Sequence, residues 1–254
     1  MIELKDLSVG YGKTKILENI TATFKKGRLT VLIGVNGSGK TTLLKSIASI
    51  IPPFSGIINI DGEDVSRLTQ KEVAKRIAYL PQSRSIPEMS AGELVLCGRF
   101  AHLSFPRVYS ERDKSIAHEA MINMNVTPFA DSPLSALSGG ERQKVYIAMA
   151  LAQESDYILL DEPTTYLDVA HKIELMTVLK ALAENGKGVV AVLHDLSLAL
   201  EFADEISLIH GGKIAQYSSA EEIICSNVLE SAFGVRVIRT ECDGSFLYNF
   251  VKQA

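Results

Sequence analysis

No apolar stretch in this sequence approaches eighteen residues, so no helix long enough to cross a bilayer is expected from it. The opening run Met1-Ile2-Glu3-Leu4-Lys5-Asp6 lacks the apolar centre of a signal peptide. Long runs of Lys or Arg are missing too, and the net charge is −4, so no nucleic-acid footprint is expected. Cysteine is scarce. Cys97, Cys225 and Cys242 are odd in number, far apart and without a C-x-x-C pair, which fits reduced thiols and argues against a disulfide framework. His102, His118, His171, His194 and His210 do not stand at metal-ligand spacing, and no repeat or low-complexity tract interrupts the chain. These absences predict a globular cytosolic chain whose every membrane link runs through a partner.

What is present is phosphate chemistry. Gly34-Val35-Asn36-Gly37-Ser38-Gly39-Lys40-Thr41-Thr42 matches the G-x-x-x-x-G-K-[ST] pattern, follows the apolar run 29–33 and opens a helix near Lys40. Glycines there let backbone N–H groups turn towards a β-phosphate, Lys40 reaches the β/γ oxygens, and Thr41 is left for Mg²⁺. The run Tyr157-Ile158-Leu159-Leu160 predicts a buried strand ending in Asp161-Glu162-Pro163. Side chains alternate at a strand end, so one carboxylate is assigned to the metal (Asp161) and the other to the attacking water (Glu162). Between these motifs, Ser138 is a good N-cap for a helix beginning Gly139-Gly140-Glu141, which makes a second anion site with no phosphate of its own. A lone Ser-Gly-Gly is more often an ordinary capped helix.

Fit to a family makes that tripeptide specific. Leu137 to Gln143 resembles the signature of the nucleotide-binding subunit of ABC transporters, and the resemblance covers essentially the whole chain. It implies roles that the residues alone would not carry. Tyr11 resembles the aromatic that stacks on adenine, and Gln82 the glutamine that links Mg²⁺ to the transporter interface. Thr164-Thr165-Tyr166-Leu167-Asp168 resembles the loop that reaches across a dimer, with Asp168 at the nucleotide, and His194 the switch histidine on the γ-phosphate. In isolation, Tyr11, Gln82 and His194 would read as an ordinary turn aromatic, loop amide and structural histidine. A narrower match, carried by residues 93–102, 147–153, 165–171 and 194–196, is to importers of iron-siderophore, haem or cobalamin complexes. Phe100-Ala101 departs from the Tyr-Pro common there, and Glu141 from Gln.

Alternation in 2–9, 21–24 and 57–60, with a turn at Asp61-Gly62, predicts a small antiparallel β layer. Apolar runs 29–33, 77–80, 157–160, 189–193 and 206–209, separated by helical stretches, predict an α/β fold with a mainly parallel, covered sheet of the P-loop (RecA-like) kind. No strand pattern appears between Gln82 and Gln153, where 91–99, 111–124 and 140–153 read as helices. The expected division is therefore a nucleotide-binding core, residues 1–82 and 155–254, and an inserted helical subdomain, 83–154, that carries the signature. Gly211-Gly212 and Asp243-Gly244 predict hairpins in the tail, beside helices over 220–225 and 227–233.

The resemblance implies an ATP-hydrolysing motor subunit that binds ATP and Mg²⁺ between two head-to-tail copies. It would drive uptake of a metal chelate through a separate permease at the cytoplasmic face of the membrane, served indirectly by an external substrate-binding protein. Two other classes share the parts. A soluble ABC-type ATPase in cofactor assembly would lack the membrane partner. A non-catalytic nucleotide-gated module would normally lack Glu162 or His194.

Overall fold

The computed structural model describes residues 1–82, 86–165, 167–242 and 245–252. The predicted Asp243-Gly244 turn and Tyr166 lie outside them. The chain opens with β1 (Ile2–Tyr11) and β2 (Thr14–Phe24), paired antiparallel. Strand β2 is longer than its alternation predicts, because register shifts in the pair break the period of two that marks a strand in sequence. β1 also pairs with β4 (Ser55–Ile60), which turns at Asp61-Gly62 into the two-residue β5 (Glu63–Asp64).

The second sheet runs in the order β10-β9-β3-β8-β7-β6, comprising β3 (Arg28–Ile33), β6 (Ile77–Leu80), β7 (Tyr157–Asp161), β8 (Gly188–Val192), β9 (Glu205–His210) and β10 (Lys213–Ser218). All its pairs are parallel except β9–β10, which closes the predicted Gly211-Gly212 hairpin. Alternate residues feed two cores. Val31, Ile158, Leu160, Val189 and Ala191 join one, with α5 (Gly139–Ala152), α6 (Val169–Glu184) and α7 (Leu196–Phe202). Leu32, Tyr157, Leu159, Val190 and Val192 face the other, where α1 (Lys40–Ile47) lies between the sheet and the β1–β2 layer. This is why the strands read as continuous apolar runs.

The stretch between β6 and β7 is helical as predicted: α3 (Ala91–Cys97), α4 (Glu111–Asn123) and α5. α3 stops short of Arg99 and continues as a tighter turn, Gly98–His102. A Cβ on Gly98 would stand 2.2 Å from the Met149 carbonyl oxygen, so α3 ends where it crosses closest to α5. Reciprocal capping boxes start α3, α4 and α5, as they do α2 (Gln70–Arg76), which sequence periodicity does not reveal. The tail adds α8 (Ala220–Cys225), α9 (Val228–Phe233) and the hairpin β11 (Val235–Cys242) with β12 (Ser245–Lys252).

Candidate active site

The loop from β3 into α1 is shaped by two glycines. Gly34 has φ 153°, and a Cβ there would lie 2.3 Å from the Ile209 carbonyl oxygen of β9. Gly39, at φ 102°, occupies the N-cap of α1, and a Cβ would meet Leu17 at 2.7 Å. The other helices of this fold begin mostly with a side-chain cap, but α1 has none and carries no acid in its first turn. Its first N–H groups are therefore available to an anion. Lys40, only 5% exposed, sends its Nζ to the carbonyls of Gly34 (2.8 Å) and Val35 (3.1 Å). Burial pushes its pKa down, against the pull of Glu162 and Asp161. Ser38 Oγ is buried with no hydrogen-bond partner among the described residues. A phosphate group would satisfy the loop, Lys40 and Ser38 together.

Asp161 ends β7, 1% exposed, and accepts a 2.9 Å hydrogen bond from Thr41 Oγ1. Burial raises its pKa, opposed by the Thr41 bond and reinforced by Glu162. A hydroxyl beside a carboxylate is the hard oxygen donor set that Mg²⁺ takes together with phosphate oxygens. Among the described residues no group of three or more His, Cys, Asp or Glu side chains could hold a metal by itself.

Strand alternation does not separate the two acids. Glu162 lies beyond the end of β7 with φ 52°, a left-handed backbone that costs a non-glycine residue on the order of 1 kcal/mol or more and turns its carboxylate by itself. That carboxylate accepts from Gln82 Nε2 (2.5 Å) and Thr165 Oγ1 (3.2 Å) on one oxygen, while the other meets His194 Nε2 at 2.5 Å. Gln82, expected on the metal, is thus engaged with Glu162. Thr165 was legible only as part of a loop motif. Its spacing, three residues after Glu162 across Pro163, is the signal that a hydroxyl could fold back.

These groups open on a cleft of about 550 Å³ lined by Tyr11, Ile16, Asn36, Gly37, Ser38, Gly39, Lys40, Thr41, Thr42, Gln82, Glu162 and His194. Tyr11, 49% exposed, and Ile16 come from the β1–β2 layer; Ile16 carried no sequence signal. Ser138, Gly139, Gly140 and Asp168 do not line this cleft. Ser138 caps α5 and Asp168 caps α6; Ser138 and Gly139 are exposed. One chain therefore holds two separate groups of its expected nucleotide residues.

The sequence profile described as "ABC transporter" matches residues 17–165. The ferric enterobactin transport ATP-binding protein FepC of Escherichia coli is 38% identical over 234 residues, covering 91% of this chain and 86% of that protein. Among solved structures, an inward-facing transporter described as being of metal-chelate type superposes with a TM-score of 0.85 at 27% identity, covering 98% of this chain and 96% of that one. The dimeric bacterial ABC transporter cassette MJ0796 gives a TM-score of 0.75 at 31% identity, over 87% of this chain and 99% of that one. With the phosphate loop, the acidic strand end and the capped glycine helix all in place, this chain belongs to the ABC transporter family, as one of its ATP-binding ATPase cassettes.

Proposed function

We propose that this cassette is the motor subunit of a metal-chelate importer, taking up an iron-siderophore, haem or cobalamin complex through a separate permease at the cytoplasmic face of the membrane. A substrate-binding protein outside would deliver the chelate, and no nucleic acid takes part. The observation that carries the motor role is the Glu162 carboxylate, held by Gln82, Thr165 and His194 at the edge of the cleft that contains Lys40. The likeness to a ferric enterobactin transport subunit supports the substrate class.

In this scheme Tyr11 stacks on the adenine, and the 34–42 loop with Lys40 grips the phosphates. Thr41 and Asp161, joined by Gln82, would hold Mg²⁺, which would neutralise charge on the phosphate oxygens. Glu162 accepts the proton of the attacking water, and His194 orients both. Ser138, Gly139 and Gly140 of one copy, with its Asp168, complete the site of the other copy in a head-to-tail homodimer. Their absence from the lining of the chain's own cleft and the dimeric relative both support that arrangement. Binding then closes the pair and hydrolysis reopens it. Gln82 passes the nucleotide state to the helical unit 83–154, and so to the permease.

The test is ATP-dependent uptake in proteoliposomes that hold this subunit, its co-purified permease and the binding protein. Accumulation of an iron-siderophore, haem or cobalamin complex is expected. Uptake of a sugar, amino acid or free phosphate instead would overturn the substrate class and leave the ATPase standing.

A further inference from the structure

We propose that His171 is a positioning residue that fastens together the two elements one copy offers its partner, the loop ending at Asp168 and the glycine-rich start of α5. The inference rests on the shared-site arrangement above and adds a residue to it. His171 lies in the first turn of α6, whose N-cap is Asp168. One carboxylate oxygen of Asp168 accepts both the His171 backbone N–H, at 2.9 Å, and the ring Nδ1, at 2.8 Å. A carboxylate can only accept, so Nδ1 carries the proton and the ring plane is set. The backbone bond already caps the helix. The ring bond is additional, and what it does is aim the imidazole.

The ring is aimed at Gly140. A Cβ built on Gly140 would stand 3.1 Å from His171 Cδ2 and 3.4 Å from both Cγ and Nε2, so the ring packs on the backbone of the first turn of α5. Only a glycine permits that approach without displacing the ring. One turn further along both helices, Lys144 Nζ and Glu174 Oε1 meet at 2.7 Å. The starts of α5 and α6 are therefore registered twice, and the first registration joins Asp168 to the helix that begins at Ser138. None of these residues lines the chain's own nucleotide cleft. If the two elements moved independently, closing the dimer would have to order each separately; joined, they are ordered once. The effect of His171 thus falls on assembly and not on nucleotide capture by one chain.

The experiment compares His171→Ala with His171→Asn, whose amide nitrogen stands where Nδ1 was, in otherwise wild-type protein and in a Glu162→Gln background. In that background the Mg-ATP-driven dimer, followed by sedimentation, should weaken about tenfold for His171→Ala, the effect of one lost charge-assisted hydrogen bond. Asn should restore much of the loss. Nucleotide affinity of the monomer, measured by equilibrium dialysis, should be unchanged in both. With Glu162 present, the protein concentration giving half-maximal ATPase should rise by about the same factor, while kcat at saturating protein stays within about twofold. Unaltered dimerisation of His171→Ala, or equal losses for Ala and Asn, overturns the role of His171 and leaves the shared site intact. If Glu162→Gln alone stays monomeric with Mg-ATP, the shared site itself fails and this inference with it.

Discussion

Glu162→Gln separates structure from chemistry at the site. One oxygen of Glu162 accepts from Gln82 and Thr165, and the other meets His194 Nε2. A glutamine has the same shape and can keep its oxygen towards Gln82 and Thr165, with its amide donating to an unprotonated Nε2. Every contact then survives, so the change in folding stability should stay within about 1 kcal/mol. What glutamine cannot do is accept the proton of water. Loss of a general base costs on the order of 10² to 10⁴ in rate, or roughly 3 to 5.5 kcal/mol of barrier at about 1.4 kcal/mol per decade. Phosphate release under saturating Mg-ATP should fall by at least about a hundredfold. ATP affinity should hold, since Lys40 and the loop are untouched, and an ATP-bound dimer should accumulate. Turnover within about fivefold of wild type, with normal folding, would refute the assignment of Glu162 as the base.

Gly139→Asp puts a carboxylate where the partner's γ-phosphate would dock. An acid in the first turn favours the helix itself, so in a Glu162→Gln background it should abolish Mg-ATP-driven dimerisation on size exclusion without unfolding α5; a full dimer peak would sink the trans site. Thr165→Val removes one hydroxyl bond to Glu162, and turnover should drop by about tenfold with ATP affinity unchanged and Thr165→Ser near wild type; equal rates for Val and Thr would show that this bond does not position the base. Asp113 is held at about 2 by the Ser110 hydroxyl and backbone N–H, then by Arg99. Its pKa is depressed on folding, so its contribution, on the order of 2 kcal/mol, is present above about pH 4 and lost as pH falls towards about 2. Urea unfolding across that range should show Asp113→Asn less stable at pH 7 with a flatter acid limb, and parallel curves would contradict the linkage.

Much of this fold is local in origin and so was readable in advance. The parallel strands are apolar because both faces are covered, and their bounds differ from the sequence expectation by a residue or so. The Ser-x-x-Glu spacing that starts α3 and α5 is a capping box made within four residues. By contrast β2, whose pairing with β1 shifts register, depended on contacts distant in sequence, while α2 starts from its own local Thr69-x-x-Glu72 box but has no long apolar period to mark it. The end of α3 was set by α5 crossing at Gly98.

The same division runs through the site. The amino-acid sequence by itself determined the phosphate loop, the pair of acids at a strand end and the capped glycine helix, because each is a short segment whose chemistry lies in consecutive residues. Only the tertiary structure decided how those segments meet. Glu162 is aimed by a left-handed backbone and by side chains from three other positions, and Ile16 reaches the cleft because β2 folds back on β1. His171 bears on Gly140 because α5 and α6 start side by side. Thr165 apart, which stands three residues from Glu162, these side chains meet across tens of positions, and their distances exist only once the sheet and its covering helices have packed.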